Sequence, residues 1–303
     1  MAAPGSARAS RLDKLATDTG QFAILALDHI RSFATTLRPE DPDSMTVEEM
    51  LASKDRLIEG LSKYASAVLI DPIQVMSRLK TAAAPLGSGL IIGIEDGDYA
   101  AAAVSPRLLP GWTVERAARL NADAVKISFY FDPDEDTTAA ERFVRETVRQ
   151  CDLVDMPLFC EPLAQLGGGG DDRRKVIEGI RRFGSLGADV LKIQFPCDTE
   201  ENRSPDSWAE ACGEANELSP SPWALLSEGR DFLEFRELLS IACRAGASGF
   251  LAGRAVWQGA VAEEHSITTY AERLAELRSV AVSQGQSWKQ RRVVVGPQNQ
   301  EIA

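Results

Sequence analysis

Two lysines and a glutamate stand inside apolar runs where a charge is expensive: Lys126 in ADAVKISFYF (122–131), Glu161 in PLFCEPL (157–163) and Lys192 in ADVLKIQF (188–195). A charge embedded in a buried strand must be paired or used. A lysine attacks a carbonyl carbon only as the free amine, so an enzyme that uses one buries it or places a second cation beside it. Lys126 and Lys192 as neighbours would supply both conditions. Glu161, between them in the chain, would carry protons to and from carbinolamine and hydroxyl oxygens. Attack on a ketone gives an iminium, an electron sink that permits cleavage of the bond beyond the adjacent carbon. Lysine and glutamate on such strands also serve decarboxylases and isomerases, so these three residues alone leave the reaction open.

Metal chemistry of the zinc-aldolase kind needs several imidazoles at one site. The chain has two histidines, His29 and His265. His265, in VAEEHSITT, reads as a surface residue, whereas His29 follows Asp28 at a strand end and is placed to touch substrate. Neither a metal nor a cofactor is expected. Anion binding has its own signature in LSEGRDF (226–232) and LAGRAVW (251–257). Ser227 and Gly229 precede a helix in the first, and Gly253 and Arg254 close the second. Glycine allows close backbone approach and arginine a bidentate grip, which suits a phosphorylated or sulfonated substrate.

Eight short runs must position these residues: QFAILALD (21–28), ASAVLID (65–71), GLIIGIED (89–96), the three already named, WALLSEG (223–229) and ASGFLAGR (247–254). Segments with helical periodicity lie between them, at 46–64, 113–121, 138–151, 172–187 and 231–246. Buried strands alternating with helices imply a parallel sheet, and eight such units a closed (β/α)8 TIM barrel. The two-residue period of a strand puts Lys126 and Ser128 on one face of their run, and Lys192 and Gln194 on one face of theirs. Polar residues near the C-terminal ends of the eight runs are Asp28, Asp71, Glu95, Lys126, Glu161, Lys192, Ser227 and Arg254. Barrel enzymes keep their reacting groups at that rim.

The chain has 303 residues, with 33 basic and 45 acidic side chains and a net charge of −12. That balance, without a basic tract, argues against nucleic acid or an anionic membrane as the main partner. Five cysteines without CxxC spacing read as reduced thiols, and no run approaches a membrane span. One barrel domain over residues 1–303 is expected, with 1–19 and 293–303 as flexible tails and a cytoplasmic location. The Gly-rich stretch 164–172 reads as a mobile lid or a flexible connection, the lid being favoured, and 198–221 as a solvated excursion carrying a short helix.

The blocks ALDHIRSF, YASAVLIDP, ADAVKISFYFDPDED, FCEPL, ADVLKIQFP, LSEGRDFLEF, AGASGFLAGRAVWQGAV and SWKQRR occur in order between about residues 20 and 292. On these blocks the chain resembles the class I tagatose-1,6-bisphosphate aldolase family and the related sulfofructose-phosphate aldolases. The resemblance implies that Lys192 forms the Schiff base with Lys126 and Glu161 assisting. It further implies that Asp28 contacts substrate, and that Ser227, Gly229, Gly253 and Arg254 hold the terminal anion; Glu95 lies in a matching region, as does Asp71. The family usually carries Asp-Gln-Arg after the first strand, where this chain has Asp28-His29-Ile30 and a displaced Arg31, so His29 and Arg31 are the substrate-binding candidates there.

The expected activity is reversible cleavage of tagatose 1,6-bisphosphate to dihydroxyacetone phosphate and glyceraldehyde 3-phosphate. The alternatives are 6-deoxy-6-sulfofructose 1-phosphate as substrate, giving sulfolactaldehyde, and a sugar-phosphate-binding regulator without turnover. A small sugar phosphate or sulfosugar phosphate is the expected partner, and a homo-oligomer is left open.

Overall fold

The computed structural model describes residues 6–83, 86–97, 105–166, 171–199, 204–262 and 267–291. Eight parallel strands close into a barrel in chain order: β1 (Phe22–Leu27), β2 (Ala67–Ile70), β3 (Gly89–Gly93), β4 (Ala124–Phe131), β5 (Leu158–Ala164), β6 (Val190–Ile193), β7 (Trp223–Leu226) and β8 (Gly249–Ala252). β1 pairs with both β2 and β8, which removes every sheet edge. Seven strands lie within the apolar runs, and β5 overruns its run by one residue, to Ala164.

The helices are α1 (Ser6–Leu15), α2 (Arg31–Leu37), α3 (Val47–Leu61), α4 (Pro72–Lys80), α5 (Val114–Arg119), α6 (Thr138–Leu153), α7 (Asp172–Gly184), α8 (Pro205–Leu218), α9 (Phe232–Arg244), α10 (Arg254–Ala262) and α11 (Ile267–Gln284). Their starts are written in the sequence. Thr46 and Glu49 form a reciprocal capping box at α3, and Asp231 accepts from the N–H groups of Leu233 and Glu234 at α9.

Two apolar clusters divide the molecule and settle which way each strand faces. Phe22, Ile24, Ala67, Leu69, Ile91, Ala124, Phe159, Val190, Ala224 and Leu251 fill the barrel interior. Their strand neighbours, such as Val125, Ile127, Leu191 and Ile193, join the larger layer between barrel and helices. Lys126, Glu161 and Lys192 each stand two residues beyond an interior residue, Ala124, Phe159 and Val190, so all three point inward.

Two expectations are corrected. Residues 6–15 are a helix, not part of a flexible tail: Leu12 and Leu15 are buried in the interior cluster together with Trp288. The open end of the barrel would otherwise leave its lowest apolar layer wet, and a helix with leucines three apart covers it. Residues 205–218 are likewise no solvated decoration. α8 buries Trp208, Ala211, Cys212 and Ala215, with the Trp208 ring edge-on to Phe195 at 6.1 Å. The small residues of EACGEAN hid an ordinary barrel-facing stripe. The Gly-rich residues 167–170, His265 and the segment 293–303 lie outside the described residues.

Candidate active site

Adjacent strands bring the charged side chains into contact. In the register of β4 with β5, Ser128 lies beside Glu161; in that of β5 with β6, Phe159 lies beside Val190, so one interior step further sets Glu161 beside Lys192. The Glu161 carboxylate bridges the two amines: Oε1 is 2.7 Å from Lys192 Nζ and Oε2 3.0 Å from Lys126 Nζ.

Lys126 is enclosed by acids. Its Nζ also lies 2.9 Å from Asp28 Oδ2, just past β1, and 2.5 Å from Glu95 Oε1, just past β3. It donates as well to Ser128 Oγ at 3.1 Å, and Ser128 in turn donates to Glu95 Oε1 at 2.8 Å. This changes the role expected for Lys126. Three carboxylates offset its charge, so it is no bare cation beside Lys192. It is the hub that holds three acids at the barrel mouth, and it is 1% exposed.

The acids are driven apart. Burial favours the protonated form of each, but at Asp28 the opposing pull of Lys126, His29 and Lys192 wins and holds the carboxyl well below the usual carboxylate range. At Glu161, burial is likewise outweighed by Lys126 and Lys192, and the carboxyl is lowered. At Glu95, burial prevails, with Asp28 adding repulsion, and its carboxyl is raised. Two carboxylates facing two amines, with a third acid pushed towards its neutral form, is an arrangement suited to moving protons. The His29 imidazole is lowered to about 4, because burial, joined by repulsion from Lys192, Lys126 and Arg254, outweighs the attraction of Asp28. It is therefore neutral near pH 7. Among the described residues, Asp28 Oδ1, His29 Nδ1 and Glu95 Oε2 are buried with no hydrogen-bond partner, the first two facing each other at 3.5 Å. A polyhydroxylated ligand at the mouth would meet that need.

A second corner lies across the barrel mouth, at the ends of β7 and β8. The Gly253 N–H donates to Ser227 Oγ at 3.4 Å. Gly229 has φ +82°, and a Cβ there would fall 2.5 Å from Arg254 Cζ, so only glycine lets the guanidinium lie over this turn. A Cβ on Gly253 would come within 2.8 Å of the Ala26 carbonyl oxygen and 3.1 Å of His29 Cε1. His29 is thus the joint between the acid–lysine cluster and this corner. Arg254, at the start of α10, is partly buried, and among the described residues it forms no ion pair. Ser227, Gly229, Gly253 and Arg254 converge as an anion site would require.

Two candidates stand apart. Asp71 caps α4 through the Ile73 and Gln74 N–H groups at 2.9 and 3.0 Å and pairs with the buried Lys54, so its work is structural. Arg31 is exposed at the start of α2, outside both clusters. Four side chains at the mouth were not singled out from the sequence for this site. Ser128 and Tyr130 follow Lys126 on the interior face of β4, Gln194 follows Lys192, and Glu228 lies between Ser227 and Gly229. The two-residue strand period was the signal for the first three. Among the described residues no cluster of His, Cys, Asp and Glu could hold a metal ion.

The model of the DeoC/LacD family aldolases matches residues 22–259. Similar curated proteins include a tagatose 1,6-diphosphate aldolase of Lactococcus lactis subsp. lactis, 29% identical over 91% of this chain and 96% of that protein. Tagatose 1,6-diphosphate aldolase 2 of Streptococcus agalactiae serotype III (strain NEM316) is 28% identical over 92% and 97%. Among solved structures, an archaeal fructose 1,6-bisphosphate aldolase superposes with a TM-score of 0.63 at 19% identity, over 91% of this chain and 99% of the other. The fructose-bisphosphate aldolase of Plasmodium falciparum gives 0.67 at 15%, over 94% and 96%. These structures are alike in fold.

Proposed function

The chain belongs to the DeoC/LacD aldolase family, and from that premise we propose that it cleaves tagatose 1,6-bisphosphate reversibly to dihydroxyacetone phosphate and glyceraldehyde 3-phosphate through a Schiff base on Lys192. The observation that carries this reading is the Lys192–Glu161–Lys126 bridge, 2.7 and 3.0 Å long, on the inward face of three adjacent strands. Binding alone needs no buried amine hydrogen-bonded to a carboxylate.

In this mechanism Glu161 takes a proton from Lys192, and the free amine attacks the C2 carbonyl carbon. The carbinolamine oxygen leaves as water with a proton from Glu161, giving the iminium. Glu161, ionised again after the dehydration, takes the C4 hydroxyl proton; the C3–C4 bond breaks, its electrons pass into the iminium to give an enamine, and the aldehyde departs. Return of that proton to C3 regenerates an iminium, and addition of water to its carbon releases the ketone and frees Lys192. Asp28, Glu95 and His29, with their unpartnered atoms, bind substrate hydroxyls, while Ser227, Gly229, Gly253 and Arg254 hold the phosphate of the ketone half. Arg31 would have to reach in from the exposed start of α2 to contact the other end.

The relatives named for tagatose bisphosphate support the substrate. The reading also places the enzyme in the cytoplasm, in keeping with five free, buried cysteines, and leaves room for a homo-oligomer. Steady-state cleavage of purified sugars tests it. Tagatose 1,6-bisphosphate should give the highest kcat/KM. A much higher value for 6-deoxy-6-sulfofructose 1-phosphate would reverse the order of substrates, and ligand-dependent stabilisation without product would favour a regulator.

A further inference from the structure

Glu228 occupies an unexpected place for an acid. It is the residue between Ser227 and Gly229, in a turn whose neighbouring guanidinium is assigned to an anion, and its own backbone is left-handed, with φ +50°. The carboxylate does not turn out to solvent. Gln194 Nε2, two residues beyond Lys192 on the same strand line, donates to Glu228 Oε1 at 2.7 Å. Gln194 is itself fixed, its Oε1 accepting from the Ala164 N–H at 2.7 Å. The acid is thus locked to the strand of the Schiff-base lysine, on the inner side of the anion corner.

Charged groups approach Glu228 from several elements. Arg230, on the same turn, reaches Oε2 only at 3.6 Å and is engaged more closely by Glu234 and by Thr199 Oγ1. Arg254 faces it from α10, Tyr130 from β4 and Asp172 from the start of α7. Just past β6 it meets the neutral Gln194. Burial, with Asp172 adding repulsion, raises this carboxyl against the pull of Gln194 and Arg230. A dianion arriving beside Arg254 adds further negative charge close to the same acid, and so favours its protonated form.

We propose that Glu228 sets the affinity of the anion corner: held there by Gln194, it must take up a proton as the anion binds, so binding couples to proton uptake and weakens as pH rises. The inference rests on the reading of Ser227, Gly229, Gly253 and Arg254 as the anion site. It makes Glu228 a specificity-determining residue, since a neutral terminal group would feel no such coupling.

Inorganic sulfate is a suitable probe because it does not itself titrate near neutrality. Its binding to the full-length protein is measured by calorimetry at constant ionic strength, from about pH 5.5 to about pH 8.5, with two buffers of different ionisation enthalpy to count protons. The wild type should take up close to one proton per sulfate at the alkaline end, and its affinity should fall by up to about tenfold per pH unit there. Glu228→Gln keeps an oxygen that accepts from Gln194. It should bind sulfate tightly across the range, with no uptake and a flat profile. Wild-type binding with no proton uptake, which needs no variant to observe, would overturn the proposal, as would a Glu228→Gln profile parallel to wild type. Arg254→Ala separates the two levels. If it loses sulfate while Glu228→Gln tracks wild type, only the role of Glu228 falls; if it binds sulfate as wild type does, the anion corner falls and the proposal with it.

Discussion

A lysine held by three acids is the residue-scale feature on which the site depends. Removing the Lys126 cation by Lys126→Met would leave Asp28, Glu95 and Glu161 buried with less compensation. The expected loss is about 3–5 kcal/mol of folding stability, read from urea denaturation. Glu161→Gln keeps the size of the side chain but cannot exchange the proton. It should lower kcat by about 10²–10⁴-fold with a smaller effect on stability. His29 supplies a pH signature. Its folded-state value of about 4 lies below the usual value of about 6.5, so the native state binds fewer protons between these values than the unfolded state. Its contribution is present above about pH 6.5 and is lost as pH falls towards about 4. The acid-side slope of stability against pH should therefore be shallower in His29→Asn than in wild type. The buried Lys126–Glu161–Lys192 cluster was legible because charges inside apolar runs are conspicuous. The sign of Lys126's surroundings was not, because Asp28 and Glu95 reach it from strands far apart in the chain.

At the scale of elements, the barrel works because each strand hides one face in the interior and the other under the helices. Hydrophobic runs and turn residues made all eight strands readable, and the two-residue period pointed Lys126 and Lys192 inward. Two helices were harder. α1 and α8 are rich in alanine, serine and charge, and only the leucines and the tryptophan that dock them reveal their inner faces. Leu15, fully buried in the interior cluster, tests the account of α1. Leu15→Ala should cost about 2–5 kcal/mol, seen as a lower Tm, while kcat changes little because the plug lies at the end of the barrel away from the mouth. If that substitution left Tm unchanged, the helix would not be the seal described. Asp71 illustrates the opposite error, since a rim carboxylate that suggests chemistry in the sequence is consumed by a helix cap and by Lys54.

At the scale of the whole molecule, a protein of net charge −12 must admit an anionic sugar phosphate against its own field. In the proposed reading the guanidinium of Arg254 overcomes that field at close range. Arg254→Ala should raise KM by about 10–100-fold, in line with the loss of a charge-assisted bond. It should also reduce the Tm gain that dihydroxyacetone phosphate gives the wild type. The closed barrel makes one mouth from eight strand ends, so a single covalent event at Lys192 reports on the whole arrangement. The central claim is that event. Borohydride reduction in the presence of dihydroxyacetone phosphate, followed by intact-mass and peptide-mass analysis, should show one adduct, located on Lys192 and missing from Lys192→Ala. An unmodified Lys192, with the ligand shown to be bound, would contradict the Schiff-base mechanism.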